Sequence, residues 1–103
     1  MILATVYSIN DVPIRLTDER WEHIVDQHPY MTTYFETLLA VIEDPEYILR
    51  GYRGTLIAVR TLGRRKYLHT IYRERSATDG FIVTAYIKSK LNKHQIIWRA
   101  DDQ

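Results

Sequence analysis

The residue pattern predicts an α+β fold: two N-terminal helices packed on one face of a twisted antiparallel sheet of about four to five strands. Three observations carry this expectation. Apolar residues recur at helical spacing only between Thr17 and Asp44, whereas from Glu46 onward the period changes to two. The later segments are separated by short, turn-rich connections, which favour antiparallel neighbours. Helices followed by a run of strands is the order in which helices cover one sheet face and leave the other open. The 103 residues suffice for one domain, 1–103, with a single core that needs no metal or disulfide support.

Ile2 to Ile9 is rich in β-branched residues and reads as a strand, ended by Asn10, Asp11 and Pro13, and Ile14-Arg15-Leu16 forms a short extended piece. Thr17 is a good N-cap, with Asp18 and Glu19 placed to complement the helix dipole and Trp21, Ile24, Val25 and His28 at helical spacing. Pro29 stops this helix. A second begins at Thr32 or Thr33, carries Phe35, Leu38, Leu39 and Ile42, and closes at Asp44-Pro45. Strands are then expected at Tyr47 to Arg50, Leu56 to Thr61, Lys66 to Arg73, Phe81 to Lys88 and Gln95 to Arg99.

Charge is divided sharply along the chain. Residues 1–46 hold nine acidic side chains against Arg15 and Arg20, a net −7, and residues 47–103 hold twelve Lys or Arg against four acids, a net +8. Clustered cations concentrate polyanions, so the second half is where a phosphate-bearing ligand is expected. There is no cysteine, which excludes disulfides, thiolate metal sites and a thiol nucleophile. Apolar runs of about five residues fall far short of the roughly 20 needed to span a bilayer. The amino terminus lacks a signal-peptide pattern, so a soluble, cytoplasmic protein with no membrane partner is expected.

Alternation in the strand 81–88 puts Phe81, Val83, Ala85 and Ile87 on a core face and Ile82, Thr84, Tyr86 and Lys88 opposite. The second set is either an ordinary solvated face or a contact surface for phosphates and bases. Arg60 and Arg73 stand near strand ends, where a guanidinium can clamp a phosphate with paired hydrogen bonds, or else form ion pairs with nearby acids. Arg64, Arg65 and Lys66 follow Gly63 in a hairpin turn and would steer a nucleic acid. Of four histidines, His28 continues the apolar stripe of the first helix and His23 lies one position off it. Either imidazole would suit proton removal from a ribose hydroxyl near neutral pH. Their i, i+5 spacing is poor for a shared metal, and His69 and His94 are remote in sequence, so no metal or other cofactor is expected. Glycine-rich phosphate loops, G-x-S-x-G, H-E-x-x-H and dinucleotide fingerprints are all missing, which argues against nucleotide hydrolysis and redox chemistry.

The string Leu16-Thr17-Asp18-Glu19-Arg20-Trp21-Glu22-His23-Ile24-Val25-Asp26-Gln27-His28-Pro29, followed by Asp44-Pro45 and then Thr84-Ala85-Tyr86, resembles the barnase, EndoU, colicin and RelE-like (BECR) nuclease group, especially its phage-associated branch. The similarity runs from about Ile14 to Lys88. It implies a metal-independent endoribonuclease, toxin-like, with a helical histidine and a hydroxyl plus cations from the sheet. Carried over, it favours His23, with His28 as the alternative, together with Arg60 or Arg73, Thr84, Tyr86 and Lys88. The expected partners are RNA and an antitoxin or immunity protein. The rival expectations are a noncatalytic RNA-binding module and a protein-interaction domain, and the opposed charges would permit head-to-tail self-association.

Overall fold

A computed structural model describes residues 1–103. Strands β1 (Ile2–Tyr7) and β2 (Pro13–Thr17) precede helix α1 (Asp18–Gln27). A 3₁₀ segment (Pro29–Tyr34) leads into α2 (Phe35–Glu43). Five strands follow: β3 (Tyr47–Arg50), β4 (Leu56–Gly63), β5 (Lys66–Ser76), β6 (Asp79–Lys88) and β7 (Ile96–Arg99). All seven form one sheet in the order β1-β2-β6-β5-β4-β3-β7, antiparallel throughout except where β2 runs parallel to β6.

The expected architecture is therefore corrected. The sheet is mixed and has seven strands, not four to five antiparallel ones, and the first helix follows a hairpin instead of opening the fold. The physical reason lies where β2 meets β6. Ile14 and Leu16 are fully buried, so β2 can hide them only by joining the main sheet. Gly80 makes the approach feasible: a Cβ there would press into Ile14 Cδ1 and the Arg73 carbonyl. Arg15 secures the junction with an ion pair to Asp79 and lies 5.8 Å from the centre of the Phe81 ring. Gly80 and Phe81 are thus the partners of a sequence-distant strand, a long-range pairing that local periodicity does not report.

The helices cover one face. Thr17 caps α1 by accepting the Arg20 N–H at 3.2 Å, as its position predicts. Residues from Pro29 form the 3₁₀ segment, which delays α2 until Phe35. Ile24, Met31, Leu38, Val41 and Ile42 bury themselves against Ile14, Leu16, Ala58, Leu68, Tyr72, Ile82 and Ala85 of the sheet. Buried Thr70 donates its hydroxyl to the Leu38 carbonyl at 3.0 Å, fastening α2 to β5 without leaving a polar group unpaired. Arg60 seals the other end of α2, donating to the carbonyls of Ala40 and Asp44.

The alternation expected for β6 is broken by a bulge. Ile71 pairs with Thr84 and Tyr72 with Ile82, so Val83 is an extra residue. Ile82 consequently joins the helix-side core, together with Ala85, while Thr84, Tyr86 and Lys88 keep the opposite face. That opposite face is not simply open. Leu49, Val59, His69 and Ile71, which share it by register, are all buried, and the chain after β6, at Leu91, Asn92 and Gln95, borders a hollow that Leu49 and His69 also line. The result is a groove across the sheet.

Candidate functional site

The groove consists of two adjoining hollows of about 590 and 350 Å³. The larger is lined by Arg50, Tyr52, Tyr86, Lys88, His94 and Ile97 among others, and the smaller by His69, Tyr86, Lys88, Lys90 and Leu91 among others. They share Ile57, Tyr86, Lys88 and Gln95. Arg50, Lys88 and Lys90 line this groove and no carboxylate does. The surface is thus matched to an anion.

Tyr86 is the centre of the arrangement. Because His69 and Tyr86 are cross-strand partners, their rings stack with centroids 5.4 Å apart and an interplanar angle of 21°. Lys88, two residues on and so on the same face, holds its Nζ 5.0 Å from the centre of the Tyr86 ring. His28 approaches from a different element, its ring centroid 5.7 Å from that of Tyr86. The route it takes follows from the sheet. β2 pairs with β6 only at Gly80 and Phe81, so β6 has a free edge beyond that point. The Tyr30 hydroxyl fills this edge at Ile87, accepting the Ile87 N–H at 3.0 Å and lying 3.5 Å from its carbonyl. Anchored there, the segment after α1 holds His28 beside Tyr86. The same hydroxyl lies 3.5 Å from His28 Nδ1.

His69 has a defined tautomer. Its Nδ1 lies 3.0 Å from the Tyr67 carbonyl, which can only accept, so Nδ1 carries the hydrogen and Nε2 of the neutral ring keeps its lone pair. Burial holds its pKa below the usual histidine value and the Lys88 charge adds to this, although the bond to Tyr67 works the other way. A neutral imidazole with a bare Nε2 beside a groove is equipped to accept a proton. The Tyr86 phenol is shifted upward by burial, with a further contribution from Tyr30, so it stays protonated at neutral pH.

The structure gathers some of the expected site residues and disperses others. His28, Tyr86 and Lys88 come together. Thr84 shares their sheet face, but its hydroxyl is buried with no hydrogen-bond partner. His23 is exposed on α1 in a hollow with Glu19, Arg20, Glu22 and Asp26, apart from this groove. Arg60 is engaged at the end of α2 and also pairs with the Asp44 carboxylate at 3.3 Å, on the helix side of the sheet. Arg73 is four residues beyond His69 on β5, roughly 13 Å at the strand rise, and lies near Gly54. Arg64, Arg65 and Lys66 are exposed in the β4–β5 turn, at the end of the sheet where Tyr67 pairs with Lys88. His69, Arg50, Tyr52 and His94 were not among the expected site residues. The signal for His69 was its alternation with Leu68 and Thr70, which becomes informative once the β5–β6 register places it opposite Tyr86.

No group of three or more His, Asp or Glu side chains is close enough to hold a metal ion. No helix is long and apolar enough to cross a membrane. No protein-family model, curated protein or solved structure matches the chain.

Proposed function

We propose that the protein is a metal-independent endoribonuclease whose active site is the groove at Tyr86. The observation that carries this reading is the convergence of two histidines and a lysine on Tyr86, which lines a groove that has cations and no carboxylates. His69 is the base: Nε2 takes the proton of a ribose 2′-hydroxyl as that oxygen bonds to the adjacent phosphorus. The bond from phosphorus to the 5′-oxygen breaks, and His28, in its protonated form, donates a proton to the departing oxygen. The products are a 2′,3′-cyclic phosphate and a 5′-hydroxyl. Lys88 stabilises the charge that develops on the phosphoryl oxygens, and the Tyr86 phenol, kept protonated, is a donor beside it. The histidine base proposed here is not His23, because His23 stands among carboxylates that would repel the substrate. An acidic antitoxin or immunity protein is the partner such a groove would accept, and cytoplasmic residence accords with an RNA substrate.

The test is incubation of purified wild type, His69→Gln, His28→Ala and His23→Ala with mixed-sequence RNA in EDTA, both free and on translating ribosomes, with analysis of product ends. Cyclic-phosphate ends are expected from wild type and His23→Ala. Loss of acid–base catalysis, roughly 10²- to 10⁴-fold, is expected in His69→Gln and His28→Ala. Wild-type protein that leaves both forms of RNA intact would overturn the reading, and salt-sensitive binding without cutting would then favour a noncatalytic RNA-binding module.

A further inference from the structure

The end of the groove away from His69 is built around an exposed aromatic side chain. Tyr52 is 78% exposed, the most of any large apolar or aromatic residue after Met1, yet the turn that carries it is tightly held. Gly51 donates its N–H to the Thr55 carbonyl at 2.9 Å, and Thr55 donates to the Tyr52 carbonyl through its N–H at 3.2 Å and its hydroxyl at 2.8 Å. Glycine is required at position 51, where any side chain would collide with Thr55. Arg53 adopts a left-handed backbone conformation, φ 53°, which is unfavourable for a residue with a Cβ. Its guanidinium sits 5.3 Å from the centre of the Tyr52 ring. A hydrogen-bonded turn with a left-handed Arg53 that holds a tyrosine out in water gains nothing for the core. Beside it in the same hollow are Ile97, 50% exposed, and the polar groups of Arg50 and His94.

We infer that this end of the groove is a base-binding subsite for single-stranded RNA, in which an unpaired base stacks on Tyr52 against Ile97 while Arg50 and His94 contact its phosphate. The inference rests on the ribonuclease reading for its choice of RNA and extends it to the strand state of the substrate. Each hollow falls within the range of about 300–1,000 Å³ typical of pockets for small ligands, so the groove has room beyond the nucleotide at the scissile bond. Tyr86 and Tyr52 line the same hollow, one beside the histidines and the other on the rim, so bases at successive positions can each meet a ring. A duplex keeps its bases stacked on one another and cannot present them to either ring.

The experiment measures fluorescence anisotropy with an uncleavable, fluorescein-labelled 2′-O-methyl hexanucleotide, and with a hairpin containing the same sequence in its stem. The proteins are wild type, Tyr52→Ala, Tyr52→Phe and Tyr7→Ala. Tyr7, 57% exposed on the distant edge strand β1, is the control for an exposed tyrosine outside the groove. Tyr52→Ala should weaken single-strand binding roughly 5- to 100-fold, the range for losing one base–aromatic stack. Tyr52→Phe should stay within about 2-fold because the ring and not the hydroxyl does the stacking, and Tyr7→Ala should bind as wild type. The hairpin should bind at least about 10-fold more weakly than the single strand, since its bases are not available to stack. Wild-type binding of the single strand with no loss in Tyr52→Ala, or equal affinity for the hairpin, would overturn the subsite and leave the nuclease reading standing. Absence of binding to both probes by wild type would also overturn the subsite, whereas the nuclease reading falls only if free and ribosomal RNA both stay intact. Circular dichroism of Tyr52→Ala confirms that any loss is not unfolding.

Discussion

Lowering the pH should destabilise the protein through His69 in a way that identifies it as a neutral, proton-accepting imidazole. His69 is 3% exposed, and its Nδ1 hydrogen is committed to Tyr67. Protonating Nε2 would place a cation in a hollow where Lys88 and Lys90 are the charged neighbours, where Tyr86 is uncharged and where no carboxylate offers compensation. His28, across the Tyr86 ring, supplies no negative charge. In the unfolded chain the same imidazole takes a proton near pH 6.5. Its folded pKa is depressed, so between the two values the unfolded state binds more protons and stability falls as the pH falls. The stability contributed is fully present above about 6.5, declines with a slope of at most about 1.4 kcal/mol per pH unit, and levels off below the folded pKa. Urea unfolding of wild type and His69→Gln from pH 8 to pH 4.5 isolates the effect, because the other three histidines are common to both proteins. The expected result is a wild-type curve that drops relative to His69→Gln below about pH 6.5. NMR titration of the His69 ring should show a pKa below the ordinary histidine value. Under the nuclease reading, the acidic limb of the pH–rate profile should follow this titration, and Lys88→Met should move both toward higher pH. A His69 ring titrating at or above the ordinary histidine value, or parallel stability curves, would refute the reasoning.

Other consequences of the fold are accessible to the same methods. Arg60→Ala should cost about 1–2 kcal/mol in urea unfolding, because the guanidinium seals the carbonyl end of α2; under the nuclease reading RNA cleavage by the folded variant should persist, and its loss would return Arg60 to the site. Tyr72 is fully buried and no protein group reaches its hydroxyl, so Tyr72→Phe should change stability by less than about 1 kcal/mol. A loss above that figure would show that the hydroxyl is bonded. Tyr30→Phe removes the group that closes the free edge of β6 at Ile87 and should cost about 0.5–1.5 kcal/mol. The same change should alter the chemical shifts of His28 more than those of His69, and unchanged His28 shifts would remove Tyr30 as its positioning residue.

Local sequence signals located most of the secondary structure. The N-cap at Thr17, the stop at Pro29 and the strand at Tyr47–Arg50 stand where the residues place them. So do the other strands, with boundaries shifted by one to three residues. The shared facing of Thr84, Tyr86 and Lys88 was legible in alternation alone, because the three lie wholly on one side of the bulge. Ile82 was misplaced for the complementary reason: alternation assumes an unbroken strand, and Val83 inserts a residue that reverses the facing of everything before it. Arg60 illustrates a different gap. A cation on a strand has the same appearance in sequence whether it meets a phosphate or the end of a helix, and only the packing of α2 over β4 distinguishes them.

What the sequence by itself determined is whatever depends on neighbours within a few residues: caps, breakers, periodicity, and the division of charge between the first 46 residues and the rest. What only the tertiary structure decided is the mixed seven-stranded sheet and the company each histidine keeps. His28 and His69 are 41 positions apart and meet at Tyr86 because a tyrosine hydroxyl fills a free strand edge and because β5 and β6 pair in one particular register. His23, only five residues from His28, points into a different environment because a helix turns successive side chains by about 100°. Pairing register and edge closure are long-range contacts selected by burial of the whole core, and no local pattern encodes them.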